Sequence, residues 1–157
     1  MPAPVERPQK LIVSNRKAEH EYFVLQRLEA GIVLTGTEVK SLRAGRANLQ
    51  DSYAYFPNKN SFELFLMSLH ISPYDFGNRE NHVPMRQRKL LVSKREALKL
   101  RQAVNEKGLT LVPLSLYFSG AFVKVELGVV KGKKLYDKRA DIKDRENKRA
   151  LQRGSDD

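Results

Sequence analysis

The stretch L-T-L-V-P-L-S-L-Y-F-S-G-A-F-V-K-V-E-L-G-V-V, residues 109–130, decides the fold. Both halves alternate apolar side chains with other residues at the two-residue period of a β-strand, and Ser119-Gly120 supplies a turn, so we predict a hairpin. Pro113 has no backbone N–H to donate, so we expect it at a sheet edge or a bulge. The apolar residues expected to share one face are Val112, Leu114, Leu116 and Phe118 in the first strand and Val123, Val125, Leu127 and Val129 in the second.

Shorter strands are predicted upstream of this hairpin. Residues 21–28 are rich in aromatic and branched side chains, and residues 29–31 (E-A-G) offer a bend or bulge before the sheet continues. Residues 52–56 and 62–67 flank the turn-forming P-N-K-N, which predicts a second hairpin. Residues 90–92 form another short apolar run.

Two short helices are predicted between the strands. Thr35 and Glu38, and again Ser93 and Glu96, have the spacing of a helix capping box, and Gly45 and Gly108 stand where these helices should stop. The residues of the second helix expected to face the body are Ala97, Leu98, Leu100 and Val104. Six or so strands with two brief helices favour a mainly β, oligonucleotide-binding (OB-like) antiparallel barrel. An open α+β sheet is the alternative.

The domain plan has three parts. We expect a flexible leader at residues 1–10, the barrel at 11–130 and a basic tail at 131–157. The tail contains ten Lys or Arg and six Asp or Glu, but its only large aliphatics are Leu135, Ile142 and Leu151. Burial of so few apolar side chains does not offset the entropy of ordering the segment, so we expect it to be disordered when free.

Charge and composition narrow the class of function. A net charge of +11 favours a phosphate-bearing partner or an anionic membrane surface. No apolar run is long enough to span a bilayer and no secretory segment is present, so we expect a cytoplasmic protein. The chain has no cysteine, and its three histidines lack metal-ligand spacing, so we expect no metal and no cofactor. No nucleophile elbow or phosphate loop is present, so the enzyme interpretation is weak.

Two polar and cationic clusters favour nucleic acid as the partner. One spans residues 15–22 (N-R-K-A-E-H-E-Y), and the other spans residues 78–89 and includes Asn81, His82 and Lys89. Cations contact phosphates, amides and imidazoles bond base edges or 2′-hydroxyls, and aromatic rings stack on unpaired bases. Taken singly, Tyr22 could be a core residue, and Asn81 and His82 could serve local loop hydrogen bonds.

The chain resembles the SsrA-binding protein family, also called small protein B, over nearly all of residues 12–149. The likeness rests on several long motifs in the family's order. They are N-R-K-A-E-H-E-Y at 15–22, E-A-G-I-V-L-T-G-T-E-V-K-S-L-R at 29–43, N-L-Q-D-S-Y at 48–53, G-N-R-E-N-H-V-P-M-R-Q-R-K-L-L at 77–91, L-V-P-L-S-L-Y-F at 111–118 and K-G-K-K-L-Y-D-K-R at 131–139.

The resemblance implies a non-catalytic adaptor in trans-translation, the rescue of ribosomes stalled on messages without a stop codon. The body would bind the tRNA-like part of transfer-messenger RNA as a monomer. Through that RNA it would meet alanyl-tRNA synthetase and elongation factor Tu. The tail would enter the ribosome's empty message channel beyond the decoding centre, against 16S rRNA, and become helical there.

The resemblance also implies particular site residues. Those expected to face RNA are Asn15, Arg16, Lys17, His20, Tyr22, Glu29, Lys89, Leu90, Leu91, Lys124, Lys131, Lys133 and Lys134. Those expected to act in the decoding centre and message channel are Gly132, as a flexible joint, with Tyr136, Asp137, Lys138, Arg139, Ile142, Lys143 and Arg145. Two alternatives stay open: a ribosomal or ribosome-assembly protein with a basic tail, and a small hydrolase or nuclease.

Overall fold

The computed structural model describes residues 9–76 and 81–133. Nine strands and three helices lie in this part of the chain, more than the six or so strands and two helices expected. In chain order they are β1 (Gln9–Ser14), α1 (Arg16–Glu21), β2 (Tyr22–Ile32), α2 (Gly36–Arg43), β3 (Ala47–Asn48), β4 (Tyr53–Tyr55), β5 (Leu64–Met67), β6 (His70–Ile71), β7 (Arg88–Leu91), α3 (Lys94–Lys107), β8 (Thr110–Ser119) and β9 (Phe122–Gly132).

Seven of the strands form a sheet that closes into a barrel. The hydrogen-bonded order is β1-β8-β4-β5-β7-β2-β9, and β9 pairs again with β8, so six strands complete a ring and β1 is added beside β8. Every pairing is antiparallel, and β3 and β6 make a separate two-stranded sheet. The closed ring confirms the mainly β barrel and disfavours the open sheet. Closure also leaves fewer unpaired strand edges.

The β8–β9 hairpin is confirmed, but one face of β8 was predicted wrongly. The register passes from Pro113 opposite Leu127 to Ser115 opposite Glu126, which leaves Leu114 as the extra residue of a bulge. The bulge reverses the inward side of the strand. Leu116 therefore lies in the barrel core, while Val112 and Leu114 belong to a second cluster on the outer side. The bulge expected at Pro113 is present beside it. The face predicted for β9 is confirmed, with Val123, Val125, Leu127 and Val129 in the core.

Strand β2 and the limits of the body also differ from expectation. β2 runs without a break through residues 29–31, and its register shift falls between Val24 and Gln26 instead. β1 begins at Gln9, inside the stretch expected to be a leader. β9 continues to Gly132, so the first two residues assigned to the tail belong to the barrel. Helix α1 was not predicted, because its six residues are too few to show a helical period.

The caps of the two predicted helices are confirmed. At α2 the Thr35 backbone N–H donates to the Glu38 carboxylate at 2.8 Å. At α3 the Ser93 hydroxyl accepts from the Glu96 backbone N–H at 3.1 Å, and Gly108 ends the helix with a φ of 63°. The inward face of α3 was predicted correctly except for one residue. Ala97 and Leu100 are buried, but Leu98 is exposed on the adjoining side of the helix.

Apolar side chains collect in two places. The main core fills the barrel and includes Leu42 of α2 and Leu100 of α3. A smaller cluster of Ala18, Val112, Leu114 and Val130 packs α1 against the outside of β8 and β9. This second cluster fixes α1 on the barrel surface, beside the ends of β2 and β9.

Within residues 9–76 and 81–133, no helix is long and apolar enough to cross a bilayer. The same residues contain no group of three or more His, Asp or Glu side chains placed to hold a metal ion.

Candidate nucleic-acid interface

One outward-facing residue from each of five neighbouring strands lies in register across the barrel. Cross-strand pairing places Gly31 of β2 between Leu91 of β7 and Lys124 of β9. Lys124 in turn pairs with Tyr117 of β8, which pairs with Leu11 of β1. We call these five residues the outer row. Leu91 is 52% exposed and Leu11 61% exposed, while Lys124 and Tyr117 are half-buried, so the row presents apolar groups and part of a cationic and an aromatic side chain to the surroundings.

The second position of the outer row, between Leu91 and Lys124, is a glycine and has no side chain. A Cβ built on Gly31 would lie 3.2 Å from the Cβ of Leu91, closer than most real contacts. Gly31 therefore lets Leu91 pack against the β2 backbone, and no side chain fills the space between Leu91 and Lys124. A glycine within a strand often marks a place where another backbone approaches closely.

Glu29 lies beside the outer row and is held by a tyrosine. The Tyr117 hydroxyl donates a hydrogen bond to the Glu29 carboxylate. Burial, and then this hydrogen bond, raise the pKa of Tyr117 above its ordinary value, so the phenol stays neutral. The remaining lone pairs of Glu29 can accept from a ribose 2′-hydroxyl or a base amino group. The negative charge of the Glu29 carboxylate would repel phosphate, so Glu29 suits contacts with a base or a sugar.

A second surface lies where α1 meets the ends of β2 and β9. Tyr22 pairs with Gly132 and Phe23 with Lys131, while the Lys133 backbone N–H donates to the Glu21 carbonyl at 2.9 Å. These contacts join elements that are more than a hundred residues apart in the chain. The cations and imidazole that they gather, which we call the basic corner, are Arg16, Lys17, His20, Lys131 and Lys133.

The side chains of the basic corner differ in what holds them. The Lys17 ammonium lies 2.9 Å from Asp51 and 3.9 Å from Glu21, and the hydrogen bond to Asp51 raises the pKa of Lys17. The Lys133 ammonium stands 4.8 Å from the centroid of the Phe23 ring. Arg16, His20 and Lys131 are exposed. Tyr22 is half-buried and packs on the small cluster under α1, which agrees with the core alternative considered for it.

Two residues expected to face RNA are structural. Asn15 is 7% exposed and caps α1: its Oδ1 accepts from the Ala18 backbone N–H at 3.2 Å. Its Nδ2 donates to the carbonyls of Pro113 at 2.9 Å and Leu49 at 3.3 Å, so both ends of the amide are engaged. Leu90 is 2% exposed and packs in the barrel core, because it alternates with the outward Leu91. Both side chains are thus held inside the fold.

The second polar cluster expected from the sequence is also largely internal. Asn81 makes local loop hydrogen bonds: its amide accepts from the Tyr74 backbone N–H at 3.1 Å and donates to the Tyr74 carbonyl at 2.6 Å. The buried His82 ring bonds the Thr37 hydroxyl and the Ile71 carbonyl, each at 2.9 Å. The local alternative is therefore correct for Asn81, whereas the His82 ring bonds residues on other elements of the fold. Lys89 does face outward, 3.8 Å from Glu63.

Sequence reasoning missed a buried ion pair under this loop. Glu38 and Arg88 are both fully buried and are bonded to each other, and Arg86 donates to Glu38 at 2.6 Å. Burial alone would raise the pKa of Glu38, but hydrogen bonds from Arg86, the Thr35 backbone N–H and Arg88 outweigh it and lower that pKa. The sequence did contain a signal for the burial of Arg88. Side chains of a strand alternate between its two faces, and Arg88 precedes the inward Leu90 by two residues, so both lie on the same face.

The joint expected at Gly132 is not seen as a positive-φ residue. Gly132 ends β9 in register with Tyr22, and the left-handed glycines of the described chain are Gly45, Gly108 and Gly120. Several predicted site residues lie outside the described residues, and their predictions stand as made. They are Lys134, Tyr136, Asp137, Lys138, Arg139, Ile142, Lys143 and Arg145.

A closed antiparallel barrel with an exposed row of apolar, cationic and aromatic groups defines a nucleic-acid-binding protein of the OB-like class. The comparisons give the family. The model described as "SmpB protein" matches residues 12–157, so the chain belongs to the SmpB family. The interpretation as a non-enzymatic RNA-binding adaptor agrees with this family.

Close relatives carry one name. A protein called SsrA-binding protein from Geotalea uraniireducens is 59% identical, over 90% of this chain and 91% of the relative. Another of that name, from Desulforudis audaxviator, is 55% identical over 94% and 95%. A solved structure described as "tmRNA-SmpB: a journey to the center of the bacterial ribosome" matches with a TM-score of 0.65 and 47% identity, covering 81% of this chain and 91% of that one. These names do not favour the alternative of a ribosome-assembly protein.

Proposed function

We propose that this chain is the RNA-binding adaptor of trans-translation, which binds the tRNA-like part of transfer-messenger RNA and delivers it to stalled ribosomes. The observation that carries the proposal is the outer row on a closed barrel, in a chain whose relatives are named for binding SsrA. The adaptor works as a monomer in the cytoplasm. It meets alanyl-tRNA synthetase and elongation factor Tu through the bound RNA.

The described residues divide the work on RNA between two surfaces. The outer row offers Leu91 for apolar contact, Lys124 for phosphate, and the neighbouring Glu29 for sugar or base. The basic corner adds exposed cations around Arg16 and Lys131. Cations fix an RNA by its phosphates, whereas shape and 2′-hydroxyl contacts select a folded RNA. The two surfaces together suit a bent, structured RNA better than a single strand.

The tail performs the second step. Residues 134–157 follow the end of β9 and include the D-K-R motif at 137–139. On a ribosome without a codon, this cationic segment enters the vacant message channel, where rRNA phosphates attract it and no message competes. The pairs Asp141–Arg145 and Asp144–Lys148 are each worth about 0.2–0.5 kcal/mol to an isolated helix, too little to form one before the channel is reached.

Binding of transfer-messenger RNA by the full chain tests the first step. We expect tighter binding to that RNA than to a structured RNA of equal size, with Leu91→Ala and Lys124→Ala each weakening it. Lys107→Ala, which removes a lysine from the last turn of α3 outside both surfaces, is the matched control and should bind normally. Equal affinity for the two RNAs would contradict the proposal.

Truncation tests the second step. Because β9 runs to Gly132 and the Lys133 amide bonds the Glu21 carbonyl, the chain should be cut after Lys133 and not before Lys131. We expect the shortened protein to bind transfer-messenger RNA nearly as well as the full chain and to fail in tagging products of stalled ribosomes. Loss of RNA binding on truncation, or normal tagging, would refute this division of work.

A further inference from the structure

Three aromatic rings stand side by side on the outer face of β4 and β5. Tyr53 and Tyr55 alternate with the inward Ala54, and Phe65 lies directly opposite Tyr55. The ring centroids are 6.2 Å apart for Tyr53 and Tyr55 and 6.3 Å apart for Tyr55 and Phe65. We call these three residues the aromatic ladder. Neither the outer row nor the basic corner includes it.

The aromatic ladder is not required to fill the barrel. The core beneath it is made by the residues that alternate with the rings, namely Ala54, Leu64 and Leu66. Tyr53 is 43% exposed, and Tyr55 and Phe65 are half-buried. Cross-strand aromatic pairs do stabilise a sheet. That role accounts for Tyr55 with Phe65, but it does not account for the exposed Tyr53 at the end of the ladder.

Each residue of the ladder shares a cleft or a cross-strand position with a lysine. Tyr53 lines a cleft of about 240 Å³ together with Lys17, and Tyr55 lines a second cleft, of about 340 Å³, together with Lys59. Phe65 is in register with Lys89 of β7, two residues before Leu91. Three lysines therefore border the ladder, and one of them, Lys17, also belongs to the basic corner. Through β7 it also continues into the outer row.

Two carboxylates lie among these lysines, and neither prevents a phosphate from binding. Asp51 pairs with Lys17 at 2.9 Å, and Glu63 pairs with Lys89 at 3.8 Å. All four side chains are at least 41% exposed, so the pairs are weak and are screened by salt. A phosphate can replace either carboxylate as the lysine's partner, and the net charge of +11 favours the exchange.

We propose that the aromatic ladder binds unpaired nucleotides of RNA, whose bases stack on Tyr53, Tyr55 and Phe65 while the adjacent lysines contact the phosphates. Base stacking on aromatic side chains needs unpaired bases and tolerates any sequence, and cations beside the rings are the usual complement in single-strand binding proteins. The proposal goes beyond the function given above, which assigns a folded RNA to the outer row and the basic corner. An unpaired segment next to that folded RNA would reach the ladder by way of Lys89.

The test measures the fluorescence anisotropy of a labelled, unstructured pyrimidine oligoribonucleotide with the full chain. Raised salt weakens phosphate contacts throughout the protein, including those of the basic tail, and so increases the share of the affinity that comes from base stacking. Tyr53→Leu and Tyr55→Leu each remove a ring but keep an apolar side chain, and each should weaken binding by between about five-fold and about a hundred-fold. Tyr55→Phe keeps the ring and should bind like the native chain. Circular dichroism checks that every variant is folded.

A matched control and a second RNA make the result specific. Phe122→Leu removes an exposed ring near the β8–β9 turn, outside the ladder, and should leave oligonucleotide binding unchanged. The ladder variants should bind transfer-messenger RNA within about two-fold of native, whereas Lys124→Ala should weaken that RNA and spare the oligonucleotide. Because each set of variants affects a different RNA, the experiment distinguishes failure of the ladder proposal from failure of the proposed adaptor function.

Three outcomes would overturn the ladder proposal. One is native affinity for the oligonucleotide in both leucine variants. Another is an equal loss in Phe122→Leu, which would mean that any exposed ring contributes. The third is concentration-dependent self-association of the full chain that Tyr53→Leu abolishes, because the ladder would then be an interface between copies of the protein and not an RNA surface.

Discussion

Replacing Arg88 by methionine should destabilise the fold more than any surface charge change. Arg88 is fully buried and donates to Glu38, to the Leu69 carbonyl at 2.6 Å and to the Pro84 carbonyl at 3.1 Å. Methionine keeps much of the volume but leaves the Glu38 charge with only Arg86 and the Thr35 backbone N–H as donors. Removing one partner of a buried pair costs about 3–5 kcal/mol, a large part of the roughly 5–15 kcal/mol that holds a domain together.

Urea unfolding followed by far-ultraviolet circular dichroism measures this loss, since the chain has no tryptophan to report by fluorescence. Arg46→Met is the matched control, because Arg46 pairs with Asp75 at 3.1 Å on an exposed surface. It should lower the free energy of unfolding by no more than about 1 kcal/mol. The double variant Glu38→Gln with Arg88→Met removes both fully buried charges, and only the half-buried Arg86 loses a carboxylate partner. The double variant should lose less free energy of unfolding than the two single variants lose in sum, by about 0.5–3 kcal/mol.

Strict additivity of the two substitutions would refute this reasoning, because it would mean that the buried charges do not interact. So would an Arg88→Met variant no less stable than Arg46→Met. In that case the polar groups around Glu38 would be reached by water, and the fold would not depend on the ion pair.

Three further predictions concern other parts of the fold. Gly128→Ala should cost about 1–3 kcal/mol in thermal or urea unfolding, because its Cβ would lie 2.9 Å from Leu114 Cδ1, while Gly36→Ala, which meets nothing within 4 Å, should be harmless. Asn15→Ala should cost about 1–3 kcal/mol through the lost α1 cap and the lost Nδ2 bond to the Pro113 carbonyl, since the Leu49 carbonyl still accepts from the Ser52 backbone N–H, and it should leave the RNA affinity of the folded protein unchanged. Weaker RNA binding by the folded variant would show that Asn15 does contact RNA. Glu38 has a lowered pKa in the fold, so its contribution to stability is complete above its ordinary pKa of about 4.3 and disappears as pH falls through the lowered value. Glu38→Gln should therefore lose less stability than the native chain between pH 5 and pH 2, and parallel losses would contradict the assignment.

The parts of the fold predicted from sequence were those with strong local rules. Capping residues placed the starts of α2 and α3, and the alternation in β9 placed its inward face. Local rules failed where a long-range contact decided the outcome. The inward side of β8 changes at Leu114 because a bulge against β9 inserts one residue, and an apolar residue at that position fits either side equally well.

The site shows the same division between local and long-range information. Arg16, Lys17, His20 and Lys89 were predicted as exposed polar residues, and their neighbours in sequence were enough to suggest this. The burial of Asn15 and Leu90 was not predicted, because burial depends on partners far along the chain, such as Pro113 for Asn15. The outer row joins residues from five strands, so only the strand register could reveal it.

The ring of six strands is joined between β4 and β8 at a single register position, Ala54 opposite Leu111. By contrast, nine pairs link β8 to β9. Local unfolding of a protein begins where backbone contacts are fewest, so we expect the barrel to open first at the β4–β8 junction. Amide protons of β4 would then exchange with deuterium well before those of β9, because β4 and β8 can separate while the other strand pairs of the ring stay hydrogen-bonded.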